Sequence, residues 1–154
     1  WVTDISYIPT KQGILYLSVI RDLFDLSIVA YKTSIRQSIK LVLDTVRLAM
    51  EKEEVTTELQ LHSDQGFQYA SQSYFALTTQ YGITPSMSRR ANPYDNAMAE
   101  NFFSILKSEC IRLYKPETLH DAQTLIDEYI AFYNHERIQL NSKLSPIEKR
   151  RFFA

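Results

Sequence analysis

The sequence predicts a mixed α/β domain, in which helices cover both faces of a five-stranded sheet that contains parallel and antiparallel strands. Two observations predict this fold class. Three short segments rich in apolar and β-branched residues come first, and the turns between them are too short for helical crossovers. Helical and strand patterns then alternate, and only helical patterns follow. The 154 residues are enough for one such domain with a substantial core.

The first three strands are predicted over residues 1–8, 14–20 and 26–31. Asp4 lies in the middle of the first strand, between Thr3 and Ile5. The second strand is almost wholly apolar, which is typical of a strand buried on both faces. Short turns join all three strands, so we expect an antiparallel meander.

The period then changes to that of a helix. Ser34 and Gln37 have the spacing of a capping box, which predicts a helix start. The buried stripe of this helix is predicted at intervals of three and four residues, at Ile35, Ile39, Val42, Val46 and Ala49. A strand ending near Asp64, a helix over 71–81 and a short strand over 83–86 follow.

Two further helices are predicted in the second half of the chain. Asn92 and Pro93 are favourable residues for a helix start, and Met98 is predicted to lie in the buried stripe of that helix. Thr118, with Asp121 three residues later, predicts the start of the last long helix.

Residues 134–154 form a polar, basic C-terminal tail, with one helical turn predicted after Pro146. We expect this tail to pack on the preceding part of the chain or to extend from it. Its basic residues Lys149, Arg150 and Arg151 are predicted to be solvated, with a weak role in DNA binding as the alternative.

The composition excludes several classes of protein. Hydrophobic residues make up 45% and charged residues 23%, which is typical of a folded globular chain. The net charge of −1 gives no support for nucleic-acid binding through overall charge, so any such interaction depends on local patches. Three glycines are too few to favour a glycine-loop phosphate site. The single cysteine, Cys110, excludes an internal disulfide and suits a reducing cytoplasm.

Three acidic residues are candidates for a metal site. Asp64 follows a strand, at the edge where α/β sheets tend to place ligands, and 35 residues lie between it and Glu100. That interval is long enough to bring Glu100 back beside Asp64. Hard divalent ions such as Mg²⁺ prefer carboxylate oxygens, and a buried carboxylate such as Asp4 needs a partner. Taken singly, each residue has an ordinary alternative as a surface-strand aspartate, a turn aspartate or a helix-surface glutamate.

Four segments carry motifs whose sequence and spacing are specific. They are Trp1-Val2-Thr3-Asp4-Ile5, His62-Ser63-Asp64-Gln65-Gly66, the segment 92–103, and Tyr133-Asn134 with Arg137 and Leu144-Ser145-Pro146. Together they resemble the catalytic core of bacterial insertion-sequence transposases of the insertion-sequence-three group, which have a retroviral-integrase-like domain. The resemblance covers essentially the whole chain. One departure is Ala91, where the family usually has glycine.

The resemblance implies a ribonuclease-H-like fold with a catalytic core over residues 1–133. It implies a catalytic and metal-binding triad of Asp4, Asp64 and Glu100 that holds two Mg²⁺ or Mn²⁺ ions. The implied reaction is cleavage of DNA at element ends, followed by strand transfer into target DNA through 3′-hydroxyl attack. The resemblance also implies a homo-oligomer, at least a dimer, acting on nucleoid DNA in the bacterial cytoplasm. An N-terminal helix-turn-helix region is expected to be absent from this chain.

Five further residues are candidates for contact with DNA. Asn96, Ser104 and Lys107 share a helix face with the third carboxylate, and Arg89 and Arg90 lie in the loop before that helix. For Lys107 and the two arginines, an ordinary solvated side chain is an equal alternative.

Two other functions stay open on the sequence. The chain could be a metal-dependent nuclease that cuts without joining, or a catalytically inactive module for DNA binding or multimerisation. His62, two residues before Asp64, could tune a metal site, but the sequence favours a structural histidine.

Overall fold

The chain forms a five-stranded mixed sheet with helices on both faces, as the sequence predicts. The computed structural model describes residues 1–89 and 96–153. The predicted helix start at Asn92 and Pro93, like the family departure at Ala91, lies outside the described residues. Within the described part of the chain, no helix combines the length and the apolar character needed to span a lipid bilayer.

The sheet consists of an antiparallel meander and two parallel strands. Strands β1 (Val2–Thr10), β2 (Gly13–Arg21) and β3 (Ile28–Ser34) form the meander, while β4 (Leu59–Ser63) and β5 (Ile83–Met87) run parallel to β1. The strand order is β3-β2-β1-β4-β5, so β1 lies in the middle. Each parallel strand follows a helix, because a parallel connection requires a crossover.

Helices α1 (Ile39–Lys52) and α2 (Gln72–Gln80) cover one face of the sheet. The hydroxyl of Ser38 caps α1 by accepting a hydrogen bond from a backbone amide in its first turn. The predicted cap at Ser34 is wrong, because β3 continues through Ser34, which pairs with Tyr16 of β2.

A long interrupted helix and α5 (Leu119–His135) cover the opposite face. The interrupted helix begins as α3 (Ala97–Leu106), continues through a π-helical segment (Lys107–Ile111) and ends in one turn, α4 (Arg112–Tyr114). Thr118 caps α5 through its hydroxyl, as predicted. Because α3 and α5 pack on the meander, α3 lies beside β1, the strand that carries Asp4.

Each face of the sheet has its own hydrophobic core. Phe102 of α3 is completely buried between α3, α5 and the meander, and Leu61 of β4 is completely buried beneath α1 and α2. Met98, predicted to be buried, is instead 41% exposed. Its side chain faces an open groove that Leu23 and Phe24 also line, and so it does not reach either core.

The C-terminal helix α6 (Pro146–Phe153) is attached to the core through Arg150. The Arg150 guanidinium donates hydrogen bonds to Asp25 at 2.6 Å, to Glu53 at 2.8 Å and to Ser27 at 3.0 Å. The prediction that Arg150 is solvated is therefore wrong. Its partners lie about a hundred residues earlier in the chain, so no local pattern reveals them.

Candidate active site

Asp4 and Asp64 lie on neighbouring parallel strands. Asp4 belongs to β1, and Asp64 directly follows β4. Val2 lies opposite His62 in this pairing, so Asp4 and Asp64, each two residues further along, follow at the same level. Glu100 lies on the exposed side of the first turn of α3, which packs beside β1.

The charges of the other two carboxylates, Asp64 and Glu100, act on Asp4. Its Oδ1 accepts a hydrogen bond from the amide of Ile5 at 2.8 Å, and its Oδ2 accepts one from Nδ2 of Asn96 at 3.0 Å. Burial is the main reason that the pKa of Asp4 rises to about 6. The negative charges of Asp64 and Glu100 contribute in the same direction, while the two hydrogen bonds oppose the rise. The three side chains are therefore close enough to interact electrostatically.

A tight turn after β4 holds the Asp64 carboxylate. Its Oδ1 accepts a hydrogen bond from the amide of Gly66 at 2.7 Å. A Cβ atom at position 66 would lie only 2.9 Å from that same oxygen, so the glycine leaves the room that the carboxylate occupies. Gln65 donates from Nε2 to the carbonyl of Ser88 at 3.0 Å, which ties this turn to the segment after β5.

Asn96 connects the start of α3 to the sheet. It occupies the N-cap position of α3, but its side chain makes no capping hydrogen bond and donates to Asp4 instead. The first turn of α3, which carries Glu100, is thereby joined to β1. Asn96 is only 6% exposed, so this predicted DNA-contact residue is set back from the surface.

Three buried polar atoms near Asp4 and Asp64 have no hydrogen-bond partner among the described residues. They are Oδ1 of Asn96, the hydroxyl of Tyr69 and Nε2 of Gln68. Burial raises the pKa of Tyr69 well above its ordinary value, and the charges of Asp4 and Asp64 add to this rise. Such atoms usually bind water or a ligand. Gln68 and Tyr69 are not predicted from the sequence, although they lie two and three residues after the end of the Asp64 motif.

The donor set suits a hard divalent cation, because three carboxylates and an orphaned amide oxygen of Asn96 offer oxygen atoms. Within the described residues, however, no three acidic, histidine or cysteine side chains lie close enough together to bind one ion. Asp4 and Asp64 each direct an oxygen to a backbone amide instead. Converging negative charges repel one another when no cation balances them. The shared metal site of these aspartates with Glu100 stays a prediction.

His62 has a structural environment. Its Nδ1 lies 2.9 Å from the hydroxyl of Ser86, and its Nε2 lies 2.9 Å from the hydroxyl of Ser88. Both ring nitrogens are thus used in hydrogen bonds to β5 and the residues after it. This environment favours the structural role of His62 over a role in a metal site.

Arg89, Ser104 and Lys107, three of the other predicted DNA-contact residues, lie nearer the surface than Asn96. Ser104 is exposed on α3, and Arg89 is exposed at the end of the first described segment. Lys107 is half-buried, and its Nζ lies 5.2 Å from the centroid of the Tyr7 ring. Arg90 lies outside the described residues. Contact of these residues with DNA stays a prediction.

Comparison with protein families and curated proteins identifies relatives. A family model described as "Integrase core domain" matches residues 1–93, and a second with the same description matches residues 100–151. The transposase for insertion sequence element IS904 of Lactococcus lactis is 45% identical over 90% of this chain and 55% of that protein. The putative transposase InsK for IS150 of Escherichia coli is 39% identical over 97% of this chain and 53% of that protein. An uncharacterized transposase-like protein of Haemophilus influenzae is 40% identical over 97% of this chain and 69% of that protein.

The chain therefore spans about half the length of the first two relatives. Among solved structures, the simian T-cell lymphotropic virus intasome in complex with PP2A regulatory subunit B56 gamma gives a TM-score of 0.83 at 18% identity, over 96% of this chain and 52% of that chain. The HTLV-2 integrase catalytic core domain in complex with magnesium gives a TM-score of 0.75 at 16% identity, over 96% of this chain and 93% of that chain. At this identity the likeness establishes the fold, which is the ribonuclease-H-like fold of retroviral integrase cores. The sequence matches show that the chain belongs to the integrase core domain family, and it is similar over nearly its whole length to about half of each of the two insertion-sequence transposases named first.

Proposed function

We propose that this chain is the domain that cuts DNA at the ends of an insertion sequence and joins those ends to target DNA. Asp4, Asp64 and Glu100 are the catalytic residues and hold divalent metal ions. The observation that carries the proposal is the placement of the three carboxylates: Asp4 and Asp64 lie on neighbouring parallel strands, and Glu100 lies in the first turn of the helix that packs beside β1. The names of the curated relatives support it, since several are transposases of insertion sequences.

The two aspartates and the glutamate have distinct parts in this proposal. Asp4 and Asp64, on parallel neighbouring strands, would hold one ion, and Glu100 with one of the aspartates would hold a second. When bound, Mg²⁺ or Mn²⁺ activates the attacking oxygen and stabilises charge on the leaving oxygen of a phosphodiester. Asn96 and Gly66 orient the two aspartates through the hydrogen bonds described above. Water or a DNA 3′-hydroxyl attacks phosphorus directly, so no covalent enzyme intermediate is needed.

The proposal includes partners and a compartment. Joining two ends of one element requires two active sites, so we expect a homo-oligomer, at least a dimer, in the active complex. Arg89, Arg90, Ser104 and Lys107 would contact DNA beside the catalytic carboxylates. The reaction would occur in the bacterial cytoplasm, on the DNA of the nucleoid.

The central test replaces single carboxylates in the full-length protein. Asp64→Asn and Glu100→Gln keep the shape of each side chain but remove its charge, so each should reduce strand transfer below detection. Glu51→Gln, at the exposed end of α1, is the matched control and should transfer strands like the unchanged protein. Retained transfer by either active-site variant would contradict the assignment.

Two measurements separate this function from the alternatives. A pre-cleaved element end with a free 3′-hydroxyl should be joined to target DNA, whereas a plain nuclease would give no joined product. Titration with Mn²⁺ should raise the thermal unfolding temperature, because a ligand that binds only the folded state stabilises it. An inactive DNA-binding or multimerisation module without a metal site would show no such rise.

A further inference from the structure

Arg21, the last residue of β2, is a buried cation, and its hydrogen-bond acceptors among the described residues are uncharged. It is 1% exposed. Its Nη1 donates to the carbonyl of Met98 at 2.6 Å and to Oδ1 of Asn101 at 3.1 Å. Its Nη2 donates to the hydroxyl of Tyr133 at 2.7 Å, and its Nε donates to the carbonyl of Leu26 at 3.3 Å. The guanidinium therefore joins the end of β2 to α3, to α5 and to the β2–β3 connection.

Two of these acceptors lie on either side of Glu100 in the chain. Met98 is two residues before Glu100, and Asn101 directly follows it. A planar guanidinium has its donors in a fixed geometry, so two bonds from one nitrogen restrict both the position and the rotation of the helix turn. A buried cation is costly unless its N–H groups are satisfied. Arg21 therefore stabilises the folded state only when the first turn of α3 lies where Met98 and Asn101 can accept these hydrogen bonds.

The start of α3 is also held by a second contact, which does not involve Arg21. Asn96 donates to Asp4 at 3.0 Å, which joins the helix start to β1. Tyr133 fixes α5 at the same point, because its hydroxyl accepts from Arg21 and donates to the carbonyl of Leu26 at 2.8 Å. The turn that carries Glu100 is thus restrained from two neighbouring strands.

We propose that Arg21 is a positioning residue for Glu100, which orients the first turn of α3 so that the Glu100 carboxylate is presented to the metal site with Asp4 and Asp64. The inference rests on the proposed function for the role of these carboxylates in metal binding. Local sequence does not reveal this role, because Arg21 lies 77 residues before its first partner on α3.

The test compares Arg21→Met and Arg21→Lys with Arg150→Met in the full-length protein. Arg150 is the matched control, because it also has several hydrogen bonds between distant elements, yet its partners lie outside α3. Two quantities are measured for each variant. The first is hydrogen exchange of the backbone amides of residues 101–106 without metal, and the second is the Mn²⁺ concentration that gives half of the maximal thermal stabilisation.

Arg21→Met should accelerate exchange of these amides relative to amides of α1 by about tenfold or more, since hydrogen bonds to charged groups are lost. It should also raise the Mn²⁺ midpoint by about tenfold, as is typical when a residue that orients a metal ligand is removed. Arg21→Lys keeps the charge but loses the fixed planar arrangement of N–H donors, so its exchange rate and Mn²⁺ midpoint should lie between those of Arg21→Met and the unchanged protein. If Arg21→Met does not fold, Arg21→Lys is the variant that tests the inference. Arg150→Met should lower overall stability. It should leave unchanged both the exchange of the amides of residues 101–106 relative to those of α1 and the Mn²⁺ midpoint.

Unchanged exchange and an unchanged Mn²⁺ midpoint in Arg21→Lys would overturn the inference. An equal midpoint change in Arg150→Met would also overturn it, because a general loss of stability would then explain the effect. Absence of Mn²⁺ stabilisation in the unchanged protein would contradict the proposed function. In that case the exchange measurement still decides whether Arg21 holds the first turn of α3.

Discussion

Asn96 occupies the N-cap position of α3 but donates its side-chain hydrogen bond to Asp4 on β1, at 3.0 Å. A helix start normally uses this side chain for its own backbone amides. Here the hydrogen bond connects the turn that bears Glu100 directly to the carboxylate of Asp4. The geometry of the candidate site therefore depends on how the helix start is attached to the sheet.

The first prediction concerns Asp4 and pH. The pKa of Asp4 in the folded protein, about 6, lies above its ordinary value of 3.8, so between these values the folded state binds more protons than the unfolded state. The associated stability is fully present below pH 3.8 and is lost as the pH rises through 6. In metal-free buffer at pH 7.5, Asp4→Asn should therefore increase the free energy of unfolding by about 3 kcal/mol. Chemical denaturation should show this gain disappearing near pH 4.

Asp44 is the control for this prediction, because its pKa is shifted in the opposite direction from that of Asp4. Lys40 and Arg47 lower the pKa of Asp44, mainly through the hydrogen bond from Lys40. Asp44→Asn should therefore lose stability at neutral pH and not at low pH. Equal behaviour of the Asp4 and Asp44 variants would contradict the described burial of Asp4.

The second prediction concerns the glycine beside Asp64. In Gly66→Ala the new Cβ atom would lie 2.9 Å from Oδ1 of Asp64, so the carboxylate has to turn away from its present position. We expect the fold to persist and the Mn²⁺ midpoint for thermal stabilisation to rise by about tenfold. Gly82→Ala is the comparison, because Gly82 has a φ of 70° and nothing lies near its missing Cβ. That variant should cost about 1 kcal/mol of stability and leave the Mn²⁺ midpoint unchanged.

The third prediction concerns the attachment of α6. Arg150→Met would leave the carboxylate of Asp25, whose side chain is 1% exposed, without its cation. Breaking a buried pair costs about 3–5 kcal/mol, and the partial exposure of Arg150 reduces the expected loss to about 2–3 kcal/mol. Lys11→Met should cost less than about 1 kcal/mol, since its pair with Glu117 is largely exposed. Urea denaturation of both variants measures the difference, and equal losses would contradict the importance of the Arg150 contacts.

The fourth prediction concerns Lys107 and DNA. If Lys107 contacts a phosphate, Lys107→Gln should weaken DNA binding for all sequences and reduce the slope of log affinity against log salt concentration by about 1. Lys40→Gln, on the other helical layer and 82% exposed, should leave the slope unchanged. Fluorescence anisotropy at several salt concentrations gives both slopes. An unchanged slope for Lys107→Gln would show that its contact with the Tyr7 ring is structural only.

Local sequence signals predicted those parts of the fold that depend on neighbouring residues. Thr118 caps α5 because its partner, the amide of Asp121, is three residues away. Ser34 has a similar local pattern, but pairing of Ser34 with Tyr16 extends β3 through it, and the next serine that can cap, Ser38, begins α1. Strand pairing is a long-range interaction, so the capping-box pattern alone could not resolve this choice.

The sequence singled out Asp4, Asp64 and Asn96 as candidate site residues, and the structure brings Asp4 and Asp64 to neighbouring strands. The hydrogen bonds that support these residues could not be predicted, because Arg21 and Asn96 act on partners 77 and 92 residues away. Tyr69 illustrates a further limit, since its buried hydroxyl has no hydrogen-bond partner among the described residues, and this is recognised only after the surrounding atoms are placed.

The π-helical segment Lys107–Ile111 lies within the long helix. Removal of one residue from this segment should have a different effect from removal of one residue from α3. A π turn accommodates one more residue than an α turn, so removal of one residue from this segment would convert it to regular helix and leave both flanking parts in place. Removal of one residue between Glu100 and Leu106 would instead rotate the carboxylate by about 100° relative to the apolar face that anchors the helix. Natural relatives that differ by a single-residue gap in this helix should therefore carry that gap after Leu106.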